Sequence, residues 1–471
     1  MHNIEQIFIN GEFITPHGTE RFDLYNPATA RVIGQVRLAD EVDGERAIAA
    51  AKAAFPAWSQ TSKAERIAAL KRMHAAVVAR HDELLEAVIE EYGAPASRSA
   101  WMASYPAEVI AQAIAALEAF EFTSSAGAAT VQMVPLGVAG LITPWNSDAG
   151  FICGKLAVAL AAGCTAVIKP SEMSALQTRV ITEALADAAL PPGVFNIVTG
   201  RGDRVGETLS RHPDVAKISF TGSTATGKAI LLNAAESFKR VTLELGGKSP
   251  TILLEDVDLT NAIPLVVQAG FMNSGQACVA GTRILVPQSR KAEIETALAE
   301  AVAAVKSGDP RDNATEIGPM VSEKQWQRVQ SYIRKGIDEG ARLLAGGEGR
   351  PEGTQDGWFV RPTLFADVNN QMAIARDEIF GPVLCVIPYR DEAEAVAIAN
   401  DTDYGLSAMV LGGDVARAHR VAQQIVSGRV LVNTLAHEPK APFGGFKHSG
   451  VGREMGEWGI RAFMEPRSVV G

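Results

Sequence analysis

Short apolar runs alternate with turn residues over the first forty positions. In Ile7-Phe-Ile-Asn-Gly-Glu-Phe-Ile14 the central Asn10-Gly11 pair predicts a hairpin. The pattern then becomes helical at about 41–57 and 62–92, which are rich in Ala, Glu, Lys and Arg with apolar residues at helical spacing, and again at about 104–120. From about residue 131 the period changes once more. VAGLITP reads as a strand, Gly154–Gly163 as a helix, TAVIKP as a strand and Ser174–Ala189 as a helix; FNIVTG and AKISFTG are further strands. Strands alternating with helices predict parallel βαβ units in the manner of dinucleotide-binding domains. A second α/β block runs from TILLE at 251–255 to VLVN at 430–433, with helices near 288–306 and 322–340. The Gly-rich stretch 346–357 is expected to be an exposed, flexible loop. No repeat of solenoid period appears, and Arg467–Val470 returns to a strand-like pattern.

A chain of 471 residues is too long for one core, so two or three domains are expected. An apolar fraction of 47% with 21% charged residues is ordinary globular composition. The net charge of −10 argues against nucleic acid or an anionic membrane surface as partner. No stretch reads as a membrane span or a signal peptide. The four cysteines, Cys153, Cys164, Cys278 and Cys385, form no CxxC pair and have no zinc-like spacing. A reducing, cytoplasmic setting without a bound metal is the expectation.

Seven segments carry candidate chemistry. In Phe271-Met-Asn-Ser-Gly-Gln-Ala-Cys278, Gly275 permits a tight backbone path and Ala277 leaves room beside the thiol, although a core cysteine at a helix end fits the same letters. In VTLELGGKSP, Glu244 lies in an apolar stretch that ends in Gly246-Gly247, where burial can raise a carboxyl towards the range of a general base. In ITPWNSDAG, Asn146 can donate its amide to an oxyanion or cap the following helix. Lys169-Pro-Ser-Glu172 follows a strand and can bind ribose hydroxyls or form a polar turn. Phe220-Thr-Gly-Ser-Thr-Ala-Thr-Gly227 is not a G-x-G-x-x-G fingerprint, but a helix start after it can hold pyrophosphate. Glu378-Ile-Phe-Gly-Pro-Val383 and the Gly-rich Pro442–Arg453 complete the set.

Taken in order, PWN, KPSE, FTGS, ELGGK, GQxC, EIFGPV and PFGGxKxSGxGRE resemble the aldehyde dehydrogenase superfamily from about residue 8 to the end of the chain. The resemblance implies an α/β fold with a Rossmann-like cofactor-binding domain, an α/β catalytic domain and a small β oligomerisation arm. The corresponding ranges are 1–118 with 137–246, then 247–461, then 119–136 with 462–471. It implies Cys278 as nucleophile, Glu244 as base and Asn146 as oxyanion donor with the Cys278 N–H. It implies NAD held by Lys169 and Glu172 at the adenosine ribose, Gly222 and Ser223 at the pyrophosphate, and Glu378 and Phe380 at the nicotinamide end. Ile142, Trp145, Ser171, Gly202, Gly206, Phe220, Leu245 and Gln325 are further implied cofactor contacts. A homodimer or homotetramer is implied, and a small aldehyde is the expected partner.

The Glu172 carboxylate beside a ribose 2′-hydroxyl favours NAD over NADP, although Lys169 and Ser171 can tolerate some NADP. After PWN the chain departs from the common pattern. Ser147 stands where an aromatic is frequent, and Gly154 precedes Lys155 where a Trp is frequent. A wider or more polar tunnel, and so a bulky, aromatic or polar-tailed aldehyde, is the expectation unless Trp101, Tyr105 or Phe151 refills the space. His437 and Lys440 are either substrate contacts or solvated loop charges. Two other functions compete: a CoA-acylating semialdehyde dehydrogenase, which generally lacks a base at the Glu244 position, and a non-catalytic binding or structural protein on the same fold.

Overall fold

The computed structural model describes residues 1–354 and 356–471. The βαβ rhythm builds a first sheet of eight strands. Its centre is five parallel strands in the order Arg240–Glu244, Val215–Thr221, Val138–Ile142, Thr165–Lys169 and Phe195–Ile197. The chain lays down Val138–Ile142 first, proceeds outward through the next two strands, then crosses back to Val215–Thr221 on the other side. That reversal leaves a crevice at the carboxyl ends of Val138–Ile142 and Val215–Thr221, where open α/β sheets bind ligands. Val138–Ile142 and Thr165–Lys169 are buried throughout, as strands covered on both faces should be.

The predicted hairpin closes the far edge. Ile7–Ile9 pairs with Glu12–Ile14, and Asn10 (φ 55°) and Gly11 (φ 83°) adopt the left-handed turn that Asn-Gly favours. At the other edge Gly450–Val451 pairs antiparallel with Arg240–Glu244. The C-terminal Gly-rich segment therefore returns to the first sheet.

A second, seven-stranded sheet runs Arg342–Ala345, Thr363–Ala366, Val383–Tyr389, Arg283–Pro287, Pro250–Leu253, Ser407–Leu411 and Arg429–Val432, parallel except at its first pair. A further sheet joins Met464–Val470, Ala129–Pro135 and Thr123–Ala126 antiparallel, with Met464 and Met133 packing onto the first core. Val469 and Val470 are exposed on it.

Several expected boundaries shift. The helix expected at 62–92 breaks into Lys63–Ala79, His81–Ala87 and a π-turn at Val88–Tyr92, because Arg80 leaves helical geometry (φ −104°, ψ 14°). The helix expected from 104 begins at Ala96, directly after Pro95, and carries Pro106 in its interior. The helix expected at Gly154–Gly163 begins at Asp148. The 346–357 segment is exposed as expected at Gly346, Glu352, Gly353 and Asp356 but is anchored between them. Gly347 and Thr354 are buried, Arg350 donates to the Gly357 carbonyl at 2.7 Å and lies 4.3 Å over the Trp326 ring, while Gln355 lies outside the described residues. Arginine stacking and backbone-to-side-chain bonds of this kind are invisible to a composition-based reading.

Candidate active site

Cys278, Glu244 and Asn146 come from three separated segments and line one cavity of about 450 Å³ between the two large sheets. That volume suits a small organic molecule. Cys278 is placed by an unusual turn. Asn273 (φ 56°), Ser274 (φ 59°) and Gly275 (φ 75°) are three consecutive left-handed residues, of which only glycine adopts this conformation without cost. A Cβ on Gly275 would lie 2.2 Å from the Gly381 carbonyl carbon, so the turn can pack directly on the Glu378–Pro382 loop. Glycines allow the same intimacy beneath the thiol. A Cβ on Gly247 would meet the Cys278 carbonyl oxygen at 2.4 Å, and one on Gly246 would meet the Glu378 carboxylate at 2.3 Å.

Burial pushes the Cys278 thiol up to about 12, with the Glu378 and Glu244 charges adding to the rise; Arg429 and the residue's own N–H oppose it. Burial likewise pushes the Glu244 carboxyl well above the usual carboxylate range, and Glu454 reinforces the shift against Lys155 and Arg453. Neither Glu244 oxygen has a hydrogen-bond partner. The Gly-rich C-terminal segment covers this carboxyl. Gly450 pairs with Glu244, a Cβ on Gly444 would lie 2.8 Å from Glu244 Oε1, and Ser449 Oγ donates to the Gly246 carbonyl at 2.7 Å.

Asn146 leaves the carboxyl end of Val138–Ile142. Its Nδ2 donates to the Gln276 carbonyl at 3.0 Å, and Asn273 Nδ2 donates to the Asn146 carbonyl at 3.1 Å. The amide is thus fixed beside the Cys278 turn rather than capping the following helix, whose Ser147 N-cap makes no side-chain bond.

The remaining sequence-predicted residues ring the crevice at the first sheet. Ile142, Trp145, Lys169, Ser171, Glu172, Gly202, Gly206, Phe220, Gly222, Ser223 and Leu245 all lie at or just beyond the carboxyl ends of its parallel strands. Burial tends to raise Glu172, but Lys169 and Arg201 outweigh it and hold the carboxylate below its usual range; Arg201 also pairs with Glu20 at 2.8 Å. A Cβ on Gly202 would meet nothing within 4 Å, and one on Gly206 would touch only Ile142 Cδ1 at 4.0 Å, so the π-turn Gly202–Gly206 opens a cradle along the crevice. Ser223 caps the helix Thr224–Ala235, whose N-terminus favours an anion. An open cradle, a helix N-terminus and a fixed carboxylate together fit a dinucleotide.

Glu378 and Phe380 reach the boundary between crevice and cavity from the second sheet. Glu378 Oε1 accepts the Gly247 N–H at 2.9 Å, and Phe380 (φ 63°) meets Trp145 edge-on at 5.5 Å. Gln325 Nε2 donates to the Ile379 and Phe380 carbonyls at 3.2 and 2.7 Å, so this residue braces the loop from behind.

The structure adds groups that the sequence motifs did not single out. Lys155 Nζ pairs with Glu454 Oε1 at 2.5 Å and donates to Ser219 Oγ at 2.9 Å, close enough to Glu244 to tune it. A lysine inside the apolar helix Asp148–Ala162 was the available signal. Arg98 and Arg429 also line the cavity. The space vacated at Ser147 and Gly154 is only partly refilled. Tyr105 lies 2.6 Å from where a Cβ on Gly150 would be and stacks on Trp101 at 4.4 Å, whereas a Cβ on Gly154 would find its nearest neighbour, Val109, at 3.7 Å, an ordinary contact. Among the described residues no cluster of His, Cys, Asp and Glu has a metal-binding arrangement, and no helix is long and apolar enough to cross a membrane.

Residues 13–469 match the model of the aldehyde dehydrogenase family. A 3-succinoylsemialdehyde-pyridine dehydrogenase from a Pseudomonas species is 44% identical over 473 residues, covering 100% of this chain and 99% of that protein. Among solved structures, a cysteine-to-alanine variant of aldehyde dehydrogenase C from Pseudomonas syringae, complexed with NAD+ and octanal, superposes with a TM-score of 0.97 at 44% identity, covering 99% of this chain and 96% of that one. The Mycobacterium tuberculosis aldehyde dehydrogenase complexed with NAD+ gives a TM-score of 0.96 at 42% identity, with 99% and 98% covered.

Proposed function

The chain belongs to the aldehyde dehydrogenase family, and on that footing we propose that it oxidises an aldehyde to a carboxylic acid with NAD through a covalent Cys278 intermediate. The convergence of Cys278, Glu244 and Asn146 on one cavity carries this reading. Cys278 loses its thiol proton to solvent, the thiolate sulfur bonds to the aldehyde carbon, and the carbonyl oxygen becomes an oxyanion held by the Asn146 amide and the Cys278 N–H. NAD, when bound, supplies the acceptor for the hydride that leaves this carbon. Loss of hydride restores the C=O bond and leaves a thioester on Cys278. Glu244 then takes a proton from water, the hydroxide adds to the thioester carbon, and the Cys278 thiolate departs as the acid is released. Burial suits Glu244 to this role, because a carboxylate raised towards neutrality is a stronger base.

Lys169, Glu172, Gly222, Ser223, Glu378 and Phe380, with the Gly202–Gly206 cradle, would hold the cofactor. The Glu172 carboxylate disfavours a 2′-phosphate, so NAD is preferred over NADP. The partly open space beside Gly154 favours a bulky, aromatic or polar-tailed aldehyde over acetaldehyde. The presence of Glu244 favours hydrolysis over transfer of the acyl group to CoA.

The cofactor-binding unit comprises 1–118 and 137–246 and the catalytic unit 247–461, with 450–451 lending a strand to the first sheet. Segments 119–136 and 462–471 form an arm whose exposed valines suit a homodimer or homotetramer, working in the cytoplasm. Removal of 462–471 should lower the mass measured by light scattering to that of a smaller species.

An aldehyde panel read by NADH absorbance tests the function. Turnover of benzaldehyde-sized or semialdehyde substrates above acetaldehyde is expected, together with complete loss in a folded Cys278→Ala variant. Continued NAD reduction by that variant would overturn the mechanism.

A further inference from the structure

Arg98 and Arg429 line the same cavity as Cys278, and neither forms an ion pair among the described residues. Arg98 sits in the first turn of the helix Ala96–Ala119, where a cation opposes the helix dipole. Its Nε is buried without a hydrogen-bond partner. Its guanidinium lies 3.9 Å over the Trp101 ring, which stacks in turn on Tyr105. The titratable groups felt by Arg98 are the phenols of Tyr92 and Tyr105, which burial keeps neutral. Arg429 donates from Nε and Nη2 to Ser407 Oγ at 3.2 Å and lies 5.8 Å from the Phe443 ring centroid.

The cavity holds two carboxyls, and neither answers these arginines. Glu454 is paired with Lys155, and Glu244, whose carboxyl burial pushes well above its usual range, forms no ion pair with either arginine. Two half-buried guanidiniums without a carboxylate partner are therefore left in an otherwise mainly apolar chamber, with Val109, Phe151, Val158, Leu431 and Leu435 among its walls. An unpaired charge that is partly withdrawn from water is costly, and an anion brought by the ligand relieves that cost. Arginine is also the side chain best shaped to grip a carboxylate with two parallel hydrogen bonds.

We propose that Arg98 receives the anionic tail of the substrate, with Arg429 adding positive charge to the same chamber, so that the preferred aldehydes are oxo acids whose aldehyde and carboxylate are separated by an apolar or aromatic spacer. The proposal rests on the reading of Cys278 as the site of aldehyde oxidation. Arg429 also acts on the Cys278 charge, so Arg98 is the cleaner probe of tail recognition.

The test compares matched aldehydes, 4-carboxybenzaldehyde with 4-methylbenzaldehyde and 9-oxononanoate with nonanal, by kcat/KM from NADH absorbance. The wild-type enzyme should prefer the acid at least tenfold in one pair or both. In Arg98→Met that preference should fall at least tenfold, mainly through KM, and Arg98→Lys should restore part of it. Thermal melts verify that each variant folds, and Arg98→Gln serves in place of a Met variant that does not. A wild-type preference for the neutral member of both pairs overturns the proposal, as does an acid preference that survives loss of the Arg98 charge. Failure to oxidise any of the four aldehydes would instead overturn the functional reading beneath it.

Discussion

Replacing Gly275 by alanine changes a single methyl group, yet it should disable the enzyme. Gly275 has φ 75°, and a left-handed backbone costs an L-residue roughly 1–2 kcal/mol. The new Cβ would lie 2.2 Å from the Gly381 carbonyl carbon, 2.3 Å from its oxygen and 2.6 Å from the Pro382 nitrogen. Each is far inside an ordinary carbon–carbon contact of about 3.5 Å. The obstructing atoms are backbone, so no side chain can rotate away, and overpacking adds about 1–3 kcal/mol. Together the variant should lose about 2–5 kcal/mol of stability. The cheapest relief is to pull the turn and the Glu378–Pro382 loop apart by roughly 1 Å, which displaces Cys278 from Glu244 and Asn146; a misplacement of that size costs about 100-fold in rate. Thermal melting and kcat/KM, measured on the same preparation, report the two effects. Gly202→Ala is the control, because a Cβ there meets nothing within 4 Å. It should melt like the wild type and chiefly raise the KM for NAD. A Gly275→Ala enzyme with near wild-type kcat/KM would refute the argument that close backbone packing positions the thiol.

Three further outcomes follow from the charges around the site. Glu172→Ser removes the carboxylate that Lys169 and Arg201 hold ionised, and the NAD-to-NADP ratio of kcat/KM should fall at least tenfold; an unchanged ratio would show that another group selects the cofactor. Lys155→Met strands Glu454 beside Glu244. Because the Lys155 side chain is only 2% exposed, melting should report a loss of about 3–5 kcal/mol, the usual result of breaking a buried pair, and adding Glu454→Gln should recover much of it. In the proposed mechanism Cys278 and Glu244 both act in their deprotonated forms, and burial raises both. Raised values move those forms to higher pH, so kcat/KM should climb steadily from about pH 6 to pH 9; a profile already flat at pH 6 would contradict the upward shift of both groups.

The chemistry was easier to read from the sequence than the geometry. Cys278, Glu244 and Asn146 are separated along the chain, but each stands in a segment whose glycines or proline mark a backbone made to approach something closely. The structure identifies what is approached: Gly247 lies against the Cys278 carbonyl, Gly275 against Gly381 and Gly444 against Glu244. The alternating pattern of Val138–Ile142 through Thr221 located the parallel sheet because buried strands are apolar throughout. The break at Arg80 carried no Gly or Pro and so escaped notice. The Lys155–Glu454 pair escaped for a different reason, since residues so far apart become partners only through the fold. Arg98 was hidden by ordinary composition, because an arginine at a helix start looks solvated until the cavity beside it is seen.

The central claim is a covalent acyl intermediate on Cys278 that Glu244 resolves. Glu244→Gln keeps the shape of the side chain and removes the base, so hydrolysis should slow by about 10²–10⁴-fold while the thiol still reacts. Mixing this variant with NAD and an aldehyde that the wild type oxidises should give a burst of about one NADH per active site, followed by near-arrest. Intact-mass analysis of the quenched protein should show the mass of one acyl group, and peptide mapping should place it on Cys278. Steady turnover without a burst, or an acyl group carried on Cys153, Cys164 or Cys385, would contradict the account.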